Sequence, residues 1–182
     1  MTVRFFILSL LALTLTPVSS ALGEPYPSTY SPLPSKPVLI VNATVLTGTG
    51  ERIEQGSVLL LDGRVAELGN AEQAIAAPEG SEVIDAQGRW VTPGLIDVHS
   101  HLGVYASPGV KAHSDGNEST SPVTARVWAE HSVWPQDPGF SRALAGGVTS
   151  LQVLPGSANL IGGRGVTLYN VPSTSYQGMK FP

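Results

Sequence analysis

The chain has 182 residues, 42% of them hydrophobic, which is enough to bury one ordinary core and too little for two large domains. Only 13% of residues are charged, about half the usual share, and ten Lys plus Arg against 14 Asp plus Glu leave a formal charge of -4 with no basic stripe, so nucleic acid is excluded as a partner. The absence of Cys excludes disulfides, thiolate metal sites, Cys nucleophiles and a lipoprotein anchor, while 20 Gly and 15 Pro favour turns and short strands.

Residues 1–23 read as a signal peptide, with an uncleaved N-terminal anchor as the alternative. Arg4 supplies a thin basic region, Phe5 to Leu15 an apolar run too short to span a membrane, and Pro17-Val18-Ser19-Ser20-Ala21 a breaker with small residues for cleavage after Ala21 or Gly23. The expected location is therefore periplasmic or secreted, with no stable membrane insertion after cleavage. Residues 24–37 hold five prolines, Pro25, Pro27, Pro32, Pro34 and Pro37, which exclude a helix or a central strand and predict an extended arm.

From Val38 the pattern turns to short β-rich runs: Val38 to Leu46, Ser57 to Leu61, Arg64 to Leu68 and Glu82 to Asp85. Gly48-Thr49-Gly50, Asp62-Gly63 and Ala86-Gln87-Gly88 separate them. Asp62-Gly63 is the strongest hairpin signal, because a two-residue turn of this kind needs positive φ at its centre. Residues 38–92 are read as a small β-layer.

Pro93-Gly94 then opens Leu95-Ile96-Asp97-Val98-His99-Ser100-His101, a strand that ends in two histidines. A strand repeats every two residues, so His99 and His101 share a face and Asp97 lies one step deeper on it. Two neutral imidazoles side by side suit a transition metal and leave positions for ligands from elsewhere. Spacing alone serves a metal pair and structural histidines equally, although the apolar run through Val98 places the pair at the mouth of a core strand.

Further on, the loop from Gly103 to Ser121 carries His113, Asp115 and Glu118, read first as a solvated polar loop and otherwise as contacts to substrate or a second metal. Ser121-Pro122 predicts a helix start, with Val127, His131 and Trp134 at helical spacing and His131 on the packed face. Asp137-Pro138 predicts a second short helix ended by Gly146-Gly147, and Val148 to Leu154 a strand. Gly156 to Gly165 is glycine-rich but lacks the Lys and Ser/Thr of a phosphate loop.

The stretch from Val91 to His101 resembles the first barrel strand of the metal-dependent amidohydrolase superfamily, in particular its imidazolonepropionase-like branch. The runs at 38–46, 62–65 and 83–88 resemble the β-sandwich strands that precede that barrel. The resemblance implies an α/β fold in which a small β-sandwich portion (38–92) is followed by the first units of an incomplete (β/α)8 barrel (93–182). It also implies hydrolysis of C–N bonds in an amide, cyclic amide or dipeptide, with one or two divalent metal ions, zinc foremost, activating water and polarising the carbonyl. His99 and His101 would be metal ligands. Asn159 and Arg164, on the glycine-rich loop, would orient a substrate carboxylate or carbonyl; the same glycines also suit a plain turn.

The resemblance assigns no further catalytic residue within the chain. Of the three lysines, Lys36, Lys111 and Lys180, Lys180 is the best placed to be the carboxylated bridging Lys of such centres, with a surface Lys as the simpler account. A complete barrel of this type needs about 250 residues, so the expectation is an N-terminal piece of a larger enzyme, inactive alone and self-associating through an unfinished barrel edge. The alternative from another class is a non-catalytic exported β-rich module with a vestigial His-x-His.

Overall fold

The computed structural model describes residues 26–114 and 116–182; the predicted export signal lies outside them, as does Asp115. Strand β1 (Val38–Leu46) is the organising element of the first sheet. It pairs antiparallel with β2 (Arg52–Leu61), which returns through Asp62-Gly63 into β3 (Arg64–Gly69). Asp62 and Gly63 have φ of 52° and 71°, the positive pair that the two-residue turn requires.

On its other edge β1 pairs in parallel with two short strands in succession, β4 (Glu82–Asp85) and β5 (Trp90–Val91). The turn between them is tied back to β1, with Ala86 N donating to Val41 O at 2.8 Å and Gly88 N to Asn42 O at 2.7 Å. Ala43, Val45, Val58 and Ala86 form the buried centre of this layer, flanked by Ile40, Ile53, Leu60 and Val91. Among the described residues it is one mixed sheet, with strands where the β-rich runs predict them.

The second sheet holds the histidine strand. Here β6 (Leu95–Ser100) runs parallel to β7 (Val148–Val153), and the long connection between them carries helix α1 (Pro138–Ala145). Asp137 caps that helix, its Oδ1 accepting from Gly139 N at 2.8 Å, with Pro138 in the first turn where no N–H is needed. Strand β8 (Val166–Tyr169) then returns antiparallel to β7, so the parallel alternation of a barrel extends over one β-α-β unit in the described residues. Leu151, Val153, Leu168 and Met179 are almost fully buried and pack with Val104, Val133, Phe140 and Val166 into the larger core.

Three expectations need correction. No helix forms over 121–134. Val123 and Trp128 instead make parallel bridges to Ile161 and Arg164, and only a short 3-10 turn follows at Ala129–Ser132. Thr124 N donates to Ile161 O at 2.8 Å and Ala129 N to Arg164 O at 2.8 Å, so part of the backbone polarity that a helix would satisfy internally goes to the glycine-rich loop. His131 is accordingly exposed and not on a packed helical face, standing edge-on to Tyr26 at 5.1 Å.

Strand β6 is also not a core strand among the described residues. It is the edge of its sheet, and Leu95, Ile96 and Val98 are 58%, 69% and 68% exposed, because neither face is covered. Lys180, in turn, is not a surface residue. It is buried, pairs with the buried Glu130 at 2.5 Å and donates to Tyr26 O at 2.9 Å.

From Tyr26 on, the proline-rich segment is extended and docks on the C-terminal segment. Thr29 N donates to Gln177 O at 3.0 Å, Ser28 Oγ to Lys180 O at 2.6 Å, and the Tyr30 ring lies 4.4 Å from that of Tyr169. No helix among the described residues is long and apolar enough to cross a membrane.

Candidate metal centre

The parallel pairing of β6 with β7 carries His99 and His101 to the C-terminal end of the sheet, the end where parallel α/β folds assemble their sites. The two rings stand 5.4 Å apart, centroid to centroid, at 83° to one another. Two imidazoles bound to one tetrahedral ion with bonds of about 2.0–2.1 Å would have centroids about 5.2 Å apart. The observed spacing therefore fits a shared ion with little adjustment.

His101 is also set in one tautomer. Its Nδ1 lies 2.9 Å from the carbonyl oxygen of Leu154, at the end of β7. A carbonyl can only accept, so Nδ1 bears the proton and, in the neutral ring, Nε2 keeps its lone pair. This is the outer hydrogen bond that metal-ligating histidines ordinarily make. His99 is exposed, and its backbone N–H donates to Asp97 Oδ1 at 3.1 Å, which folds that carboxylate against its own strand. Among the described residues no group of three or more His, Asp or Glu side chains gathers around the pair or elsewhere.

The connection after His101 is held by Asp137, which the sequence marks only as a helix start. This buried carboxylate takes three backbone N–H groups: Gly103 at 2.9 Å on Oδ2, and Ser107 at 3.0 Å and Gly139 at 2.8 Å on Oδ1. One side chain thus caps α1 and shapes the turn that leaves the histidine strand. The resulting turn places Tyr105 edge-on to His101, with centroids 5.5 Å apart. No local signal in the sequence points to Tyr105.

The two predicted substrate contacts are already engaged within the protein. Asn159 Nδ2 donates to the carbonyls of Glu118 and Ser121, each at 2.6 Å, and joins the glycine-rich loop to the end of the loop after β6. The Arg164 guanidinium lies 4.6 Å over the Trp128 ring. The glycines serve close approach: a Cβ on Gly163 would stand 2.6 Å from the Val127 carbonyl oxygen. His113 does not gather with the His99–His101 pair. Its Nδ1 lies 3.1 Å from Pro108 O, its ring packs near Trp134, and it lines a cavity of about 350 Å³ together with His131. The Glu118 carboxyl is held below its ordinary value by hydrogen bonds from the Thr120 hydroxyl and then from its backbone N–H, which makes it a local turn anchor.

An α/β protein with two histidines side by side at the C-terminal end of a parallel strand, behind a small β-layer, is the class that fold and site define. No family model matches the chain. The amidohydrolase tasK of Hapsidospora irregularis is 37% identical over 142 residues, which cover 70% of this chain and 14% of that protein. The dihydroorotase of Citrifermentans bemidjiense is 37% identical over 112 residues, covering 62% and 20%. The crystal structure of an amidohydrolase from Thermotoga maritima superposes with a TM-score of 0.71 at 40% identity, over 79% of this chain and 36% of that one. The chain belongs to the amidohydrolase superfamily. It spans about a seventh to a fifth of the length of these curated relatives.

Proposed function

We propose that this chain carries part of the active site of a metal-dependent hydrolase acting on C–N bonds, with His99 and His101 as two ligands of a divalent metal, zinc foremost, in a centre of one or two ions. The observation that carries the reading is the His101–Leu154 hydrogen bond, which leaves Nε2 as a donor beside His99. When bound, the metal activates water and polarises the scissile carbonyl. The protein's own part is to turn His101 so that Nδ1 donates to Leu154 and Nε2 is left for the ion, with His99 beside it. On this reading 93–182 contributes the opening units of a (β/α)8 barrel and 38–92 part of a β-sandwich, in an arrangement akin to the imidazolonepropionase-like branch. The substrate is a small amide, cyclic amide or dipeptide. Arg164 retains N–H groups for its carboxylate, and Asn159 retains its Oδ1 as an acceptor.

Two imidazoles fill half of a tetrahedral shell, so the chain by itself is proposed to bind metal weakly and to turn over nothing. Its open β6 edge is proposed to favour self-association. Export with removal of the first 21 or 23 residues belongs to the same reading, and N-terminal sequencing of envelope material should then begin at Leu22 or Glu24.

The test is a Zn²⁺ titration of the purified chain against a chelating dye, together with assays on acyl amino acids, dipeptides and cyclic amides. His99→Ala and His101→Ala should each lower affinity at least tenfold. Equal binding by both variants would overturn the ligand assignment and leave a non-catalytic module as the reading. Metal-dependent turnover by the chain, abolished in His99→Ala, would overturn its inactivity and point to a site completed by neighbouring copies.

A further inference from the structure

The surroundings of His101 contain one aromatic side chain whose placement uses several independent features. Asp137 binds the N–H groups of Gly103 and Ser107, so the segment carrying Tyr105 is held at both ends. Inside it, Val104 N and Tyr105 N both donate to His101 O, at 3.0 and 2.9 Å, and the chain doubles back over the histidine. The Tyr105 and His101 rings meet edge to face, 5.5 Å apart at 85°, within the favourable range for such pairs.

The slot that receives Tyr105 is lined by two glycines for a steric reason. A Cβ on Gly116 would run into the Tyr105 ring, and one on Gly156 would run into its hydroxyl and the Asn117 carboxamide. Gly156 N donates to Gly116 O at 2.7 Å, which closes the slot. Gly156 also follows Leu154 by two residues, so the loop that accepts the His101 proton is the loop that seats Tyr105.

We propose that Tyr105 is a positioning residue for His101: its ring, seated between Gly116 and Gly156, keeps the imidazole in the rotamer that donates Nδ1–H to Leu154 and presents Nε2 to a metal. The inference rests on the reading of His101 as a ligand. Rotating the ring by half a turn would exchange Nδ1 with a carbon and break the bond to Leu154, and the tyrosine ring resists that rotation by occupying the space beside the imidazole. The ring does this, and the hydroxyl is not required.

The experiment uses the full chain with two readouts. Long-range ¹H–¹⁵N spectra of the metal-free protein report the His101 tautomer, and Zn²⁺ alone is the probe for affinity. The parent and Tyr105→Phe should show one Nδ1–H tautomer and affinities within twofold of each other. Tyr105→Ala should show mixed tautomers and affinity reduced about tenfold. Gly156→Ala, which keeps the tyrosine but closes its slot, should behave like Tyr105→Ala, and it decides the matter if Tyr105→Ala does not fold.

Unchanged tautomer and affinity in Tyr105→Ala or Gly156→Ala would overturn the proposal, as would a loss in Tyr105→Phe equal to that in Tyr105→Ala. His101→Ala separates the two levels. If it lowers affinity while the Tyr105 variants do not, only the positioning role fails; if it leaves affinity unchanged, the ligand reading fails.

Discussion

Replacing Lys180 by Met would remove one half of an ion pair that the fold has taken out of water. Glu130 is 2% exposed and Lys180 5%, and their charges meet at 2.5 Å, with the ammonium also donating to Tyr26 O. The second carboxylate oxygen, Glu130 Oε1, is buried with no hydrogen bond among the described residues, and its neighbour His131 Nε2 stands 3.8 Å away. Removing Lys180 strands a charged Glu130, and breaking a buried pair in this way costs about 3–5 kcal/mol. Against a total stability of about 5–15 kcal/mol this is a large fraction.

The paired change Lys180→Met with Glu130→Leu removes both desolvation penalties and should return to within about 1 kcal/mol of the parent. Urea unfolding at pH 7 followed by circular dichroism measures the parent, both single variants and the double variant. A loss below 1 kcal/mol in Lys180→Met, or a double variant as unstable as the sum of the singles, would refute the reasoning. The same variant examines the expectation that Lys180 bridges a metal, because a purely structural Lys180 predicts that Zn²⁺ affinity of the folded double variant stays at the parental value.

Asp137→Ala should destabilise the chain by about 2–4 kcal/mol, since three backbone N–H groups lose a charged acceptor and α1 loses its cap; urea unfolding that shows less than 1 kcal/mol would count against its organising role. Acid should weaken the fold in a defined direction. Asp85 is held below its ordinary value, first by the backbone N–H of Gln87 and then by the Asn42 side chain, and Glu118 likewise by Thr120. Their folded-state pKa values lie below the unfolded ones, so their contribution is complete above the ordinary carboxylate range and is lost as pH falls through the lowered values. The urea midpoint should therefore decline with falling pH in that window and decline less in Asp85→Asn. An unchanged profile in that variant would remove Asp85 from the account.

Much of the local architecture follows from neighbours in the chain. The hairpin at Asp62-Gly63 is legible because its two residues tolerate positive φ, and β1 because a nine-residue β-rich run is bounded by proline and glycine turns. Helix α1 is legible because Asp137-Pro138 and Gly146-Gly147 punctuate both ends. The histidine pair is legible for the same kind of reason, since a period of two places His99 and His101 on one face wherever the strand lies.

Residues 121–134 show why other features are not legible. Their helical spacing is genuine, yet the backbone hydrogen bonds are taken by residues 159–165, which no local pattern announces. By itself, then, the sequence determined the short strands, the turns, the capped helix and the chelating spacing of the histidines, all of which depend on interactions a few residues apart. Tertiary structure decided the rest: the antiparallel return of β8, the burial of Lys180 against Glu130 and Tyr26, the carbonyl that selects the His101 tautomer, and the slot for Tyr105. Each of these joins groups tens of residues apart or depends on a shape that those long-range contacts create, and their energies exist only once the chain has closed.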